Sequence, residues 1–262
     1  MDAAELALLT EALHKAMTTA SGPELDSALV DLGWHELLTE LPDVAVPVVF
    51  ELLGTTGAHA SILNDVVRAE AGLPIDRSEV VALPFAGNSW VRWDRTHDAG
   101  TTVGGELPIH RVPQGDSIPV TAGRRALGWW LLGTGKSMLD LARTHAVERA
   151  QFGKPVAAFQ AVRHRLAETL VALEGAEATL LAADDDLGAL LAKAAAGRAA
   201  LTAAKHCQQV LGGIGFTAEH DFHRHLERAM ILDGILGNAR ELTQEAGRLL
   251  RTTGHAPRLT QL

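Results

Sequence analysis

The residues best suited to chemistry stand in one short segment, Arg149-Ala150-Gln151-Phe152-Gly153-Lys154-Pro155, which is followed by Phe159 and Gln160. Glycine and proline are residue types that close a tight turn, here between two long helical stretches. The guanidinium of Arg149 carries a planar fork of N–H donors, which suits a phosphate or a pyrophosphate. The alternative interpretation is a capped turn whose arginine lies at the surface without a ligand.

A second segment joins a glutamine to a glycine cluster, in the order Gln209-Val210-Leu211-Gly212-Gly213-Ile214-Gly215-Phe216, with Glu219 after it. Glycines that follow a helix usually do no more than end that helix. They also allow backbone amides to approach a ligand without an intervening side chain. On its own, the glycine cluster is therefore weak support for a cofactor contact.

Together, the two segments resemble the acyl-CoA dehydrogenase family in order and spacing. The first is similar to the family's R-x-x-F-G-x-P turn before F/H-Q, and the second to its Q-x-x-G-G-x-G-[FY]-x-x-E motif. In that family both motifs contact an FAD that is held mainly by the neighbouring subunit. The resemblance implies that six residues of this chain contact FAD across a dimer interface: Arg149, Gln151, Phe152, Gln209, Gly212 and Gly213.

The resemblance is broken at the catalytic base. Most family members remove the α-proton of the acyl thioester with a glutamate that precedes a glycine, because a base must lie within hydrogen-bond reach of that carbon. A count without gaps from the glycine motif places Leu236 there, followed by Gly237. A minority of members carry the base just before an arginine near the substrate pocket, where this chain has Gly123 before Arg124. We therefore predict no catalytic residue, and Arg124 as a substrate-binding residue by resemblance alone.

Two acids near Leu236 leave an alternative open. Asp233 lies three residues before it, on roughly the same face of a helix, and Glu241 lies about one turn beyond it. Either could serve as a relocated base, although neither stands at the matched position. Solvated helix acids are the simpler interpretation.

Residues 72–119 lack the parts with which family members hold their own flavin, a T-E-P-x-x-G-S-D-like stretch and a W-x-[TS] segment. The T-S-Q that follows the catalytic Glu-Gly in the family is also changed, to Asn238-Ala239-Arg240. We therefore expect this chain to share FAD with a partner subunit.

The elements that must position these residues are mainly α-helical. Residues 1–71 show helical spacing of leucines and are predicted to be a reduced N-terminal helical region. Residues 72–119 are richer in Val, Trp, Thr and Gly and predict a shortened β-rich segment, with strands near Glu79 to Leu83 and Trp90 to Trp93. Residues 120–262 predict a C-terminal four-helix bundle of acyl-CoA dehydrogenase type, whose fourth helix runs from about Asp221 to Leu250.

Composition excludes several kinds of partner. The net charge of −9 disfavours nucleic acid, whose partners concentrate Lys and Arg. The single cysteine, Cys207, permits no internal disulfide, and the acidic start lacks a signal sequence, so we expect a cytoplasmic protein without a membrane span.

The histidines 220, 223 and 225 lack companion ligands, so we predict no metal site. The segment 133–137 resembles the end of a phosphate-binding P-loop. Trp130 stands where that motif requires its first glycine, so we do not predict a nucleotide site there.

The leading hypothesis is the small subunit of a heteromeric, FAD-dependent acyl-CoA dehydrogenase. A full-length subunit would supply the glutamate, in an assembly such as an α2β2 heterotetramer that desaturates an acyl-CoA and passes electrons to an electron-transfer flavoprotein. In the family, such unequal pairs are associated with bulky substrates such as steroid side-chain thioesters. The alternatives are a non-catalytic structural or regulatory subunit, and a stand-alone flavoenzyme that uses Asp233 or Glu241.

Overall fold

The structure is a computed structural model, and it describes residues 1–75, 79–95, 102–103 and 107–256. Five helices precede the sheet: α1 Ala3–Thr19, α2 Pro23–Asp31, α3 Trp34–Glu40, α4 Pro42–Thr56 and α5 Leu63–Glu70. Helix α1 begins at a capping box, in which the side chains of Asp2 and Glu5 each accept a hydrogen bond from the other residue's backbone amide. Short helices in this region were predicted from the leucine spacing, and that prediction is confirmed.

Three strands follow, β1 Ala82–Phe85, β2 Ser89–Trp93 and β3 Ile109–Val112, and they form one antiparallel sheet in chain order. The register places Leu83 opposite Val91. The second strand agrees with the prediction, whereas β1 begins at Ala82, later than the predicted Glu79. The sequence did not mark this start, because the residues before Ala82 also carry a β-type pattern.

The rest of the described chain is helical: α6 Thr121–Glu148, α7 Gln160–Leu181, α8 Asp186–Leu211, α9 Phe222–Gly234 and α10 Ala239–Thr253. Two-residue strands β4 Ala150–Gln151 and β5 Lys154–Pro155 and a short 3-10 helix, Val156–Ala158, connect α6 to α7. A second 3-10 helix, Gly212–Phe216, follows α8. Asp185 caps α8 by accepting a hydrogen bond from the Gly188 amide at 2.6 Å, as expected for an acid before a helix.

Glycines in α6 set how closely the neighbouring helices approach. A β-carbon on Gly128 would lie 3.7 Å from Cα of Lys193, and one on Gly135 would lie 3.6 Å from Cα of Ala200. Seven residues along α6, from Gly128 to Gly135, correspond to seven residues along α8, from Lys193 to Ala200. The two helices therefore run parallel and in close contact. A β-carbon on Gly133 would lie 2.2 Å from the carbonyl oxygen of Glu51, so α4 also packs directly against the α6 backbone.

The predicted fourth helix, from Asp221 to Leu250, is wrong as a single element. The chain leaves α9 at Gly234 and begins α10 at Ala239, with an irregular connection at residues 235–238. Leu236 and Gly237 have positive φ angles of 58° and 98°, which a continuous helix does not allow. Asn238 then starts a new helix with a capping box to Glu241.

None of the helices in the described part of the chain combines the length and apolarity needed to cross a bilayer.

Candidate functional site

The turn after α6 is a small hairpin with a defined shape. Ala150 pairs with Pro155 and Gln151 with Lys154, while the two central residues, Phe152 and Gly153, have φ angles of 54° and 78°. Positive φ at both central positions matches the type I′ turn that suits the twist of a tight hairpin. Glycine at the second central position thus has a backbone reason, and phenylalanine at the first is strained.

Phe152 is nevertheless held in place and faces outward. Its side chain is 88% exposed, and its ring meets the Phe159 ring edge-on at a centroid distance of 6.1 Å. The ammonium of Lys154 lies 4.4 Å from the centroid of the Phe159 ring. These two contacts stabilise the turn, and they leave the side chains of Arg149, Gln151 and Phe152 exposed.

The glycine motif also leaves its backbone open. Gly212 ends α8 with a φ of 64°, where a residue with a β-carbon would be strained. A β-carbon on Gly212 or Gly213 would meet nothing within 4 Å, so a ligand can approach both from outside. Gln209 is exposed one turn earlier, and Phe216 beyond the glycines is 74% exposed.

The two motifs lie at the same end of the bundle, because α6 and α8 are parallel and each motif follows the end of its helix. An electrostatic link supports this placement. The pKa of His145, in the last turn of α6, is lowered first by burial and then by the nearby charges of His220 and Arg149. His145 and His220 also line one surface cavity of about 290 Å³.

Arg124 lies at the opposite end of α6. The helix has 28 residues, and at about 1.5 Å per residue its two ends are roughly 40 Å apart. The structure therefore brings together the six residues matched to flavin contacts and separates Arg124 from them. Any substrate contact by Arg124 belongs to a different site from the one served by Arg149.

The two positions where a base was sought, Gly123 and Leu236, face each other. A β-carbon on Gly123 would lie 2.8 Å from Cδ1 of Leu236 and 2.8 Å from Cγ2 of Val67. Leu236 is 1% exposed, so its aliphatic side chain fills this space. Neither glycine nor leucine carries an ionisable side chain.

Arg124 contacts the irregular connection at residues 235–238, which contains Leu236. Its Nε donates to the carbonyl oxygen of Leu236 at 3.3 Å, and its two terminal nitrogens donate to the carboxylate of Glu245 at 3.2 and 3.1 Å. It also lines a cavity of about 500 Å³ together with Glu70, Asp186 and Arg248. The Glu70 carboxylate accepts from the first amides of α6, Thr121 and Ala122, and burial raises the Glu70 pKa.

The acids considered as replacement bases are both engaged with backbone amides. Asp233 accepts from the amide of Ala239 at 3.2 Å, and burial raises its pKa. Glu241 accepts from the amides of Asn238 at 3.1 Å and Gly87 at 2.9 Å. Both carboxylates therefore act as caps for the chain around the break between α9 and α10.

Lys193 was not identified from the sequence, although it is the most buried charged group at this end. Its ammonium is fully enclosed and donates to the carbonyl oxygens of Asp233 at 3.0 Å and Gly237 at 2.7 Å. Burial lowers the Lys193 pKa to about 7. A lysine within the apolar stretch Ala192–Ala196 was the available signal, since lysine is almost never fully buried without partners.

The two other motifs considered in the sequence have structural roles. The segment 133–137 lies within α6, and Lys136 forms ion pairs with Glu51 and Glu177. His225 is buried, with its Nε2 3.1 Å from Oγ of Ser137. Within residues 1–75, 79–95, 102–103 and 107–256, no three histidine, cysteine or acidic side chains converge as a metal site would require.

The long packed helices and the small antiparallel sheet together form the acyl-CoA dehydrogenase fold, and the two exposed motifs lie at one end of the helices. Residues 119–248 match the family described as acyl-CoA dehydrogenase, C-terminal domain, and this part of the chain belongs to that family. The recognition made from the two motifs is thereby confirmed.

Relatives agree with this assignment. Over 186 residues the chain is 43% identical to acyl-CoA dehydrogenase FadE34 of Mycobacterium tuberculosis, an alignment that covers 61% of this chain and 26% of that protein. The chain spans about a quarter to a third of the length of the first curated relatives that it matches.

Solved structures show the same fold over most of the chain. The steroid ACAD Tcur3481-Tcur3483 superposes with a TM-score of 0.70 at 20% identity, covering 95% of this chain and 98% of that one. The ChsE4-ChsE5 complex of Mycobacterium tuberculosis gives a TM-score of 0.66 at 18% identity, covering 98% and 99%. At these identities the likeness concerns the fold alone.

Proposed function

We propose that this chain is the smaller subunit of a heteromeric, FAD-dependent acyl-CoA dehydrogenase and lacks a catalytic base of its own. The observation that carries the proposal is the contact of Leu236 with Gly123, which fills both possible base positions with apolar groups. The motifs at the other end of α6 remain intact and exposed. This asymmetry is what a subunit needs if it serves the flavin of a neighbour.

The exposed motif fits one side of an anionic cofactor. Arg149 presents a guanidinium fork for a pyrophosphate, and Gly212 and Gly213 leave their amides accessible. Gln151 and Gln209 add polar side chains, and Phe152 adds a flat aromatic surface. We propose that these residues contact an FAD that the partner holds.

The proposed reaction of the complex is α,β-desaturation of an acyl-CoA thioester. When bound, FAD would accept the β-hydride, and a glutamate of the full-length partner would take the α-proton. The residues of this chain bind and orient the flavin from across the interface. Asp233 and Glu241 are held as caps, which disfavours a stand-alone enzyme based on either acid.

The finer parts of the proposal concern substrate and assembly. Two structures with the same fold are named as a steroid ACAD and as a two-component complex, so we propose a bulky acyl-CoA and an α2β2 heterotetramer. An electron-transfer flavoprotein would accept the electrons, and the cytoplasm would be the compartment. We retain Arg124 as a proposed acyl-CoA contact, through the cavity that it lines.

The discriminating experiment uses the complex with a co-expressed full-length homologue. Arg149→Ala and Gln209→Ala are introduced together, and the flavin absorbance per complex is measured. We expect most of the FAD to be lost while the assembly persists. The matched control is Arg251→Ala, which removes an exposed arginine on α10 and leaves the motifs unchanged.

Each other outcome contradicts the proposal in a different way. Full retention of FAD and activity by the double variant would identify a structural or regulatory subunit. A chain that is yellow and desaturates acyl-CoA when purified alone would identify a stand-alone enzyme.

A further inference from the structure

The connection at residues 235–238 has an unusual backbone for the residue it carries. Leu236 is a bulky, buried residue with a left-handed φ of 58°. L-residues with a β-carbon avoid this region, and such strain persists only where surrounding contacts determine the conformation. Some part of the structure must therefore hold the connection in place.

Lys193 of α8 makes the contacts that bracket the strained residue. Its ammonium donates to the Asp233 carbonyl before Leu236 and to the Gly237 carbonyl after it. The Asp233 carbonyl belongs to the last turn of α9, where helix carbonyls lack intrahelical partners and favour a positive charge. The two bonds thus fix both sides of the connection to one rigid helix.

Three further contacts depend on the course of this connection. The Leu236 amide donates to the carbonyl oxygen of Pro84 at 2.7 Å, and the Leu236 carbonyl accepts from Arg124. The Leu236 side chain also fills the space beside Gly123. If the connection moved, all three contacts would change together.

We propose that Lys193 is a positioning residue, whose two hydrogen bonds set the path of residues 235–238 and so keep Leu236 closed against Gly123. The role concerns the chain itself and does not depend on the subunit function proposed above. It applies to the segment around Leu236, the position that the family resemblance matches to a base, and it gives the fully buried Lys193 a role there.

The charged groups that face Lys193 are Asp233 of α9, Glu241 of α10 and Arg124 of α6. A competing account makes Lys193 only the counter-ion of Asp233. The geometry separates the two, because Lys193 donates to backbone carbonyls while the Asp233 carboxylate accepts from Ala239. Asp233→Asn should therefore leave the path of the connection unchanged.

The test is a double-mutant cycle read by amide hydrogen exchange in the full chain. Lys193→Met removes the donors at similar volume, and Leu236→Gly places at position 236 a residue that adopts positive φ without strain. We expect Lys193→Met to speed exchange of the Leu236 amide about tenfold, because the variant loses the two hydrogen bonds that the lysine donates. In the Leu236→Gly background the same substitution should speed exchange of the position-236 amide by less than about threefold.

A lysine that stabilises the fold without positioning residue 236 would speed exchange equally in the wild-type and Leu236→Gly backgrounds. Such additivity would overturn the proposal. Lys136→Met is the control, since it removes another lysine with two partners but lies away from the connection. Its exchange rate at Leu236 should equal that of the wild type.

If Lys193→Met does not fold, the wild-type chain still decides the question. Below pH 7, where Lys193 with its pKa of about 7 is protonated, the proposal expects its ammonium protons to exchange slowly with water and to show nuclear Overhauser contacts to Gly237. An ammonium signal that exchanges as fast as those of surface lysines would overturn it.

Discussion

Leu236 and Gly123 meet face to face, with Cδ1 of the leucine 2.8 Å from the point where a β-carbon on the glycine would stand. Gly123 lies near the start of α6 and Leu236 lies between α9 and α10, and these are the two positions that the family resemblance matches to a base. Their contact means that a side chain at position 123 would have to displace Leu236. The packing therefore fills the space beside Gly123 with the aliphatic side chain of Leu236.

The first prediction concerns this contact. Gly123→Ala should destabilise the chain by about 1–3 kcal/mol, because the added methyl overlaps Leu236 and Val67. Combining it with Leu236→Ala should cost less than the sum of the two single changes, since the smaller side chain makes room. Urea unfolding of the four proteins measures the coupling, and strict additivity would mean that the two residues do not touch.

The second prediction concerns Phe152. Phe152→Gly relieves a strained φ of 54° but loses the edge-on contact with Phe159, so the free energy of unfolding should change by less than about 1 kcal/mol. The flavin content of the complex should nevertheless fall. A variant that loses stability and keeps its flavin would show that Phe152 serves the fold and not the cofactor.

The third prediction concerns pH. Burial lowers the Lys193 pKa from 10.5 to about 7, so between these values the unfolded chain binds a proton that the folded chain does not. The free energy of unfolding should therefore rise as the pH increases from about 7 towards 10. Lys193→Met should flatten this rise in thermal or urea unfolding. A wild-type stability that falls over the same interval would contradict the assignment.

The fourth prediction concerns Arg124. Arg124 pairs with Glu245, whose side chain is 42% exposed, and its Nε also donates to the carbonyl oxygen of Leu236, so Arg124→Gln should cost about 1–2 kcal/mol. If Arg124 contacts the thioester, the variant complex should show a higher KM for acyl-CoA with unchanged FAD content. An unchanged KM would leave Arg124 with a structural role beside Leu236.

The sequence predicted the long helices well, because apolar positions in α6, α7 and α8 repeat at helical spacing. It did not predict the break at residues 235–238. Leu236 fits the helical pattern, and the break depends on Lys193 and Pro84, which are distant in sequence. Gly234, Gly237 and Asn238 were local signals, but such residues alone do not show that a helix stops.

The sequence likewise predicted one part of the candidate site and missed another. The two motifs predicted exposed residues at the ends of α6 and α8, since each motif is local and follows the end of a helix. The distance between Arg124 and Arg149 could not be read from the motifs, because it follows from the length of α6. Lys193 was missed because lysines in alanine-rich helices are usually solvated.

The most direct test of the account is made on the complex, by replacing the glutamate of the full-length partner at its base position with glutamine. If this chain supplies no base, dehydrogenation of acyl-CoA should fall by about 100-fold or more while FAD stays bound. Activity that survives this change and is then lost on Asp233→Asn or Glu241→Gln in this chain would contradict the central claim.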